Sequence, residues 1–284
     1  MPSVLSTKRT RTTTGNENIR NEHPELLRAA LLAGGAPVDQ ARNDGTKRTR
    51  TTTGNENIRN EHPELLRAAL LAGGAPVDQA RNDGTTLLYV ACQRGNAVTA
   101  RVLLDDGADP NEVKKGAVNY KRGQTPLFIA CWEGHMETAY VLLEGGATVD
   151  QANSDGGTPL FWACYGGHTD TARVLLAGGA TVDQATKNGA TPLTIASSYG
   201  HTKTVELLLQ HGATVDQADN HNKTPLYWAC VGHHRDGKYT DTVNVLLQHG
   251  ANPDIADKNG ATPYRISFNE DIQEALKKHG ADWR

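Results

Sequence analysis

Apolar residues in this chain come in short runs, each about one and a half helical turns long, closed by polar residues and glycine. One stretch shows the logic. In TPLFWACYGGH, Leu160, Ala163 and Cys164 fall on one helical face. Thr158 stands where an N-cap is wanted, since its hydroxyl can accept from a free backbone N–H. Pro159 takes the first helical position, where its missing N–H costs nothing. Gly167 and His168 break the helix. TDTARVLLAGGA then predicts a second helix whose buried stripe is Val174, Leu175 and Leu176, ended by Gly178 and Gly179. TVDQATKNGA leads on through an extended, Asn-Gly-containing segment, a hairpin signal. The predicted unit is helix, tight turn, helix, hairpin.

That unit repeats. TPLFIAC begins at Thr125, TPLFWAC at Thr158, TPLTIAS at Thr191 and TPLYWAC at Thr224, each 33 residues after the last. Looser copies start at Thr86 and Thr262, at intervals of 39 and 38 residues, so two units carry insertions. These are Glu112–Lys121, predicted to lengthen a hairpin, and His234–Tyr239, predicted to lengthen a helix-to-helix turn. The period, the TPLxxA and GH motifs and the VLLxxGA motif together resemble ankyrin repeats over about four-fifths of the chain. The resemblance implies an all-α repeat solenoid of stacked ankyrin repeats. It also sets a departure in relief. The family usually has His after TPL, whereas Phe128, Phe161, Thr194 and Tyr227 stand there, and none brings an imidazole to bond the next unit.

The expected plan is a flexible basic arm over 1–13 followed by a single array over 14–284. Its units are 14–52, 53–85, 86–124, 125–157, 158–190, 191–223, 224–261 and 262–284. Residues 8–46 recur unchanged as 47–85, which points to a recent duplication or an assembly artefact. Both copies carry the polar GNENIRNEH in place of a TPL helix, so 53–85 reads as an N-terminal cap and 14–52 as a cap-like copy outside it. The first copy is expected to be weakly docked and dispensable. Glu270, Asp271, Gln273, Glu274, Lys277 and Lys278 make 262–284 a polar C-terminal cap.

Composition adds limits. A net charge of -3 argues against a strongly basic nucleic-acid-binding body. The N-terminus lacks the apolar core of a secretory signal, and no apolar run approaches the roughly 18 residues that cross a bilayer. Cys131–His135 and Cys164–His168 have the look of zinc ligand pairs, but Ser197 replaces Cys where His201 is retained. A buried small residue and a turn histidine explain the pairs better, so no metal and no cofactor are expected. The four cysteines are expected to be free thiols in a reducing compartment, placing the chain inside the cell, in cytoplasm or nucleus. No phosphate loop, nucleophile elbow or zincin motif occurs, so no catalytic residues are assigned and an enzyme is not expected.

The function expected is a protein–protein interaction module, monomeric and not membrane-bound. The resemblance implies a concave groove built from hairpin tips and inner-helix ends. The tips are Asn82, Asp83, Lys121, Arg122, Ser154, Asp155, Lys187, Asn188, Asn220 and His221. The inner-helix positions are Gln93, Arg94, Trp132, Glu133, Tyr165 and Tyr199. The aromatics among them are what hot spots use, although packing between units would also account for them. Trp162 and Trp228 take a position that is normally an interior aliphatic and are expected in the core. A second reading is a nucleic-acid or phosphate-bearing partner held by the basic spot Lys114, Lys115, Lys121 and Arg122 with the N-terminal arm, where Lys8, Arg9 and Arg11 cluster. A structural spacer is a third.

Overall fold

The computed structural model describes residues 76–80, 84–114, 123–231 and 238–282. The two N-terminal copies up to residue 75, the tip residues Asn82 and Asp83, most of the first insertion and the start of the second lie outside the described residues. Helices alternate along the described chain: α1 (Leu87–Gln93), α2 (Ala97–Asp105), α3 (Pro126–Trp132), α4 (Met136–Glu144), α5 (Pro159–Tyr165) and α6 (Thr169–Ala177). They continue as α7 (Pro192–Ser198), α8 (Thr202–Gln210), α9 (Pro225–Val231), α10 (Lys238–Gln248), α11 (Pro263–Ile266) and α12 (Glu270–Lys278). Odd-numbered helices stack on odd ones and even on even, each pair also packing on itself, so two layers run the length of the solenoid.

The first helix of every described pair starts as its sequence predicts. Thr125, Thr158, Thr191 and Thr224 each accept a hydrogen bond from the backbone N–H three residues on, at 3.1–3.2 Å. Each such cap is worth about 1 kcal/mol. Behind the caps lies the core: Leu127, Leu160, Leu193 and Leu226 are completely buried, as are Leu142, Leu175, Leu208 and Leu246 from the second layer. Along α6 only Leu175 of the expected Val174–Leu176 stripe is fully buried, since successive helical residues point about 100° apart and leave Val174 and Leu176 at the edges of the buried face.

The connecting segments are tight turns, and no residue among those described is in a strand. Each tip closes through two backbone bonds, such as Thr186 N–H to Ala190 O at 2.9 Å with Gly189 N–H to Thr186 O at 2.8 Å, and Asp219 N–H to Lys223 O at 3.0 Å with Asn222 N–H to Asp219 O at 2.9 Å. Successive tips are then bonded to each other: Lys187 N–H to Asp155 O, Asn220 N–H to Asn188 O, and Lys258 N–H to His221 O.

The second insertion also departs from expectation. Its last two residues, Lys238 and Tyr239, are helical, so α10 has 11 residues where α4, α6 and α8 have 9. Tyr239 is buried, and its hydroxyl donates to Ser198 O at 3.4 Å, an apolar ring with a polar tip drawing extra residues into the stack.

Candidate functional site

The turn motif GH is a joint between units. His135 Nε2 lies 3.2 Å from Gln93 O, His168 Nε2 3.0 Å from Trp132 O, and His201 Nε2 3.0 Å from Tyr165 O. Each imidazole thus reaches back to the last residue of the preceding first-layer helix and satisfies a carbonyl that the helix leaves free. The preceding unit's glycine makes the room: a Cβ on Gly134 would lie 2.4 Å from His168 Nδ1. Cys92, Cys131, Cys164 and Cys230 are buried and unbridged, and burial pushes their thiols far above the usual range. Among the described residues no group of three or more His, Cys, Asp and Glu is placed to hold a metal ion.

A second joint is made by the VDQ motif. The Asp150 carboxylate accepts from Thr181 N–H and from Thr181 Oγ1, at 3.1 and 2.7 Å, and Asp183 treats Thr214 the same way. A third replaces the histidine missing after TPL. Tyr227 donates its hydroxyl to Asp257 Oδ2 at 3.0 Å, and Tyr89 donates to Gln124 Oε1 at 2.8 Å. Burial, then the bond to Asp257, pushes the Tyr227 phenol up to about 12.

With the scaffold held this way, the ends of α3, α5 and α7 bring aromatic rings together. Trp132 and Trp162 stack face to face, centroids 4.5 Å apart and planes 2° from parallel. Tyr165 lies 5.4 Å from Trp162 and 6.4 Å from Trp132, and Tyr199 lies 4.8 Å from Tyr165. Phe128 backs both tryptophans from below, at 5.7 and 5.6 Å. The result is one continuous aromatic wall across three units. Trp132, Trp162 and Tyr165 are half-buried, and Tyr199 is 45% exposed. Its hydrogen bond with Tyr165, helped by burial, pushes the Tyr199 phenol up to about 12.

Of the predicted inner-helix residues, Trp132, Tyr165 and Tyr199 are therefore in contact. Glu133 is exposed beside Trp132, while Gln93 and Arg94 are exposed one unit earlier, at the end of α1. At the tips Asp155, Lys187, Asn188, Asn220 and His221 are exposed and Ser154 is half-buried. Lys121 and Arg122, like Asn82 and Asp83, lie outside the described residues.

The expected core placement of Trp162 and Trp228 is overturned. Both are half-buried. Gly157 leaves space for the Trp162 indole, because a Cβ there would sit 2.5 Å from its Nε1. The Trp228 indole N–H donates to Asp219 Oδ2 at 3.0 Å, and Lys223 Nζ lies over its ring at 4.7 Å. A signal for Trp162 was available: it precedes Tyr165 by three residues, and residues three apart share a helical face.

The family profile for ankyrin repeats matches residues 57–153, 111–186 and 175–257. No curated protein matches the chain in sequence. Among solved structures, the human ASB11 ankyrin repeat domain is similar at 26% identity and a TM-score of 0.67, with 83% of this chain and 100% of that one covered. An ankyrin repeat domain from Acinetobacter baumannii AYE is 27% identical over 69% of this chain and 98% of its own, with a TM-score of 0.61. The ankyrin repeat domain of Bcl-3, a member of the IkappaB protein family, shares the fold at 24% identity, with 78% and 96% of the two chains covered and a TM-score of 0.64.

Proposed function

The chain belongs to the ankyrin-repeat family, and from that premise we propose that it holds another protein in the concave groove between its inner-helix ends and its hairpin tips. Ankyrin repeats are in general protein-interaction modules. The observation that carries the finer reading is the aromatic wall of Trp132, Trp162, Tyr165 and Tyr199, continuous over three units and partly open to solvent. Tyrosine and tryptophan give large contact area with little side-chain entropy to lose, and they dominate interface hot spots. The tips Asp155, Lys187, Asn188, Asn220 and His221 form the polar rim that such a centre needs. No helix among the described residues is long and apolar enough to cross a membrane. Four buried thiols without a disulfide support a reducing, intracellular compartment, cytoplasmic or nuclear. On this reading the units from 86 to 261 form the working array, with 53–85 and 262–284 as its caps.

The test is a pull-down from a cell lysate with the wild-type chain and with the Trp132→Ala, Tyr165→Ala, Tyr199→Ala triple variant. Proteins retained by the first and lost with the second support the groove. Identical captures by both, with the variant folded by circular dichroism, refute it.

A further inference from the structure

The hairpin tips add a chemical preference to the groove reading, on which this inference rests. In the C-terminal half their carboxylates are turned inward. Asp219 Oδ1 accepts from His221 N–H and Lys223 N–H at 2.8 and 3.0 Å, and its Oδ2 accepts from the Trp228 indole. Asp257 Oδ1 accepts from Asn259 N–H and Ala261 N–H at 2.9 and 3.0 Å, and its Oδ2 from the Tyr227 hydroxyl. Asp257 is only 8% exposed. His221 and Lys258 on these tips, and Lys187 at the position equivalent to Lys258 two units earlier, are exposed. Neither Lys187 nor Lys258 has an ion-pair partner among the described residues. The Asp257 tip thus spends its negative charge on its own turn and leaves Lys258 to solvent, the Lys187 tip carries no carboxylate at all, and in the tip between them Lys223 lies over the Tyr227 and Trp228 rings.

The spacing of these charges is set by the backbone. Tip is bonded to tip at 2.9–3.0 Å. Each unit adds two chain widths of about 4.8 Å, so equivalent tip residues recur roughly every 10 Å. Lys187 and Lys258 are two units apart and so lie about 20 Å from each other, the reach of roughly six residues of extended chain at about 3.3 Å each. The aromatic wall ends at Tyr199, in the unit that follows the Lys187 tip.

We propose that the groove takes an extended acidic segment of another protein. An apolar or aromatic side chain of that segment anchors on the wall from Trp132 to Tyr199. Carboxylates spaced about six residues apart reach Lys187 and Lys258. Nucleic acid also seeks cations, but its backbone is charged at every nucleotide and would bring phosphates to the exposed Glu133 and Asp155 as well as to the lysines, whereas a peptide can place its carboxylates opposite Lys187 and Lys258 alone.

A random-peptide display library panned on the full chain tests this. Enriched peptides are then measured against the aromatic triple variant and against Lys187→Glu/Lys258→Glu, with Lys187→Gln/Lys258→Gln as a milder partner and circular dichroism to check each fold. The expected result is acidic peptides that lose at least about tenfold in affinity to both the aromatic and the charge-reversed variants, less to the glutamine pair, and that bind more weakly as salt is raised. Neutral or basic peptides that need the aromatic wall but ignore the lysines overturn the acidic preference and leave the groove reading standing. Peptides that bind the aromatic variant as well as wild type, or no enrichment at all, overturn both. A single-stranded oligonucleotide that binds more tightly than the peptides and is lost with the same lysines replaces the acidic protein segment with nucleic acid.

Discussion

Replacing Gly134 by Ala separates the two demands that one glycine meets in this fold. Gly134 has φ +78°, and Gly146, twelve residues along the chain just past the end of α4, has φ +88°. An L side chain in that left-handed region costs roughly 1–2 kcal/mol at either site. There the likeness ends. A Cβ at position 146 meets nothing within 4 Å, whereas at 134 it lies 2.4, 2.6 and 2.7 Å from Nδ1, Cε1 and Cγ of His168. The imidazole must swing away, breaking its 3.0 Å bond to Trp132 O. A lost hydrogen bond costs about 1 kcal/mol net, and the stranded carbonyl and displaced ring add about as much again. Gly146→Ala should therefore destabilise by about 1 kcal/mol and Gly134→Ala by about 3 kcal/mol. Urea unfolding followed by circular dichroism and tryptophan fluorescence measures both, the second signal including Trp132 and Trp162 among the chain's four tryptophans. Adding His168→Ala to Gly134→Ala removes the collision. The glycine substitution should then cost no more than it does at 146. Equal costs for the two single variants, within about 0.5 kcal/mol, would show that the His168 joint does not hold these units together.

The remaining predictions use other contacts. Trp162→Ala should weaken partner capture about as much as Trp132→Ala, because each indole supports the other's orientation. Its stability cost should be smaller than the roughly 2–5 kcal/mol of Leu160→Ala in the closed core, and the opposite order in thermal melts would return Trp162 to the core. The Asp257 carboxyl is held below its usual range by the Ala261 and Asn259 N–H groups and the Tyr227 hydroxyl. Its stabilisation is thus present above the unfolded carboxylate value of about 3.9 and is lost as pH falls through the lower folded value. Asp257→Asn should flatten that acid limb of the melting profile, and an unchanged limb would count against the carboxylate. A thiol reagent at neutral pH should leave Cys92, Cys131, Cys164 and Cys230 untouched until denaturant is added, since all four are buried with raised pKa; rapid labelling of the native chain contradicts this packing.

The chain's sequence determined everything that depends on neighbours within a turn or two. Thr158 caps because the N–H it needs is three residues away, Pro159 is tolerated because it stands first, and Leu160 is buried because the helix repeats at 3.6 residues. The 33-residue period then made the stacking of such units legible, and with it the family and the side of the stack where Trp132, Tyr165 and Tyr199 would meet. What the sequence left open are contacts between residues 30 to 36 positions apart, such as Tyr227 with Asp257 and His168 with Trp132 O. No local rule says that a tyrosine hydroxyl will take the place of a histidine, because its partner arrives only when the next unit docks. Trp162 shows the same limit. Its position in the helix reads as interior, yet Gly157 and the parallel face of Trp132 give the indole a better seat at the groove, and that choice exists only once two units are stacked. Lys238 and Tyr239 read as turn residues by their place in an insertion, and the buried seat beside Ser198 made them helix. Outside that insertion local hydrogen bonding sets the element, and the packing of one unit on the next sets which atoms of it face solvent.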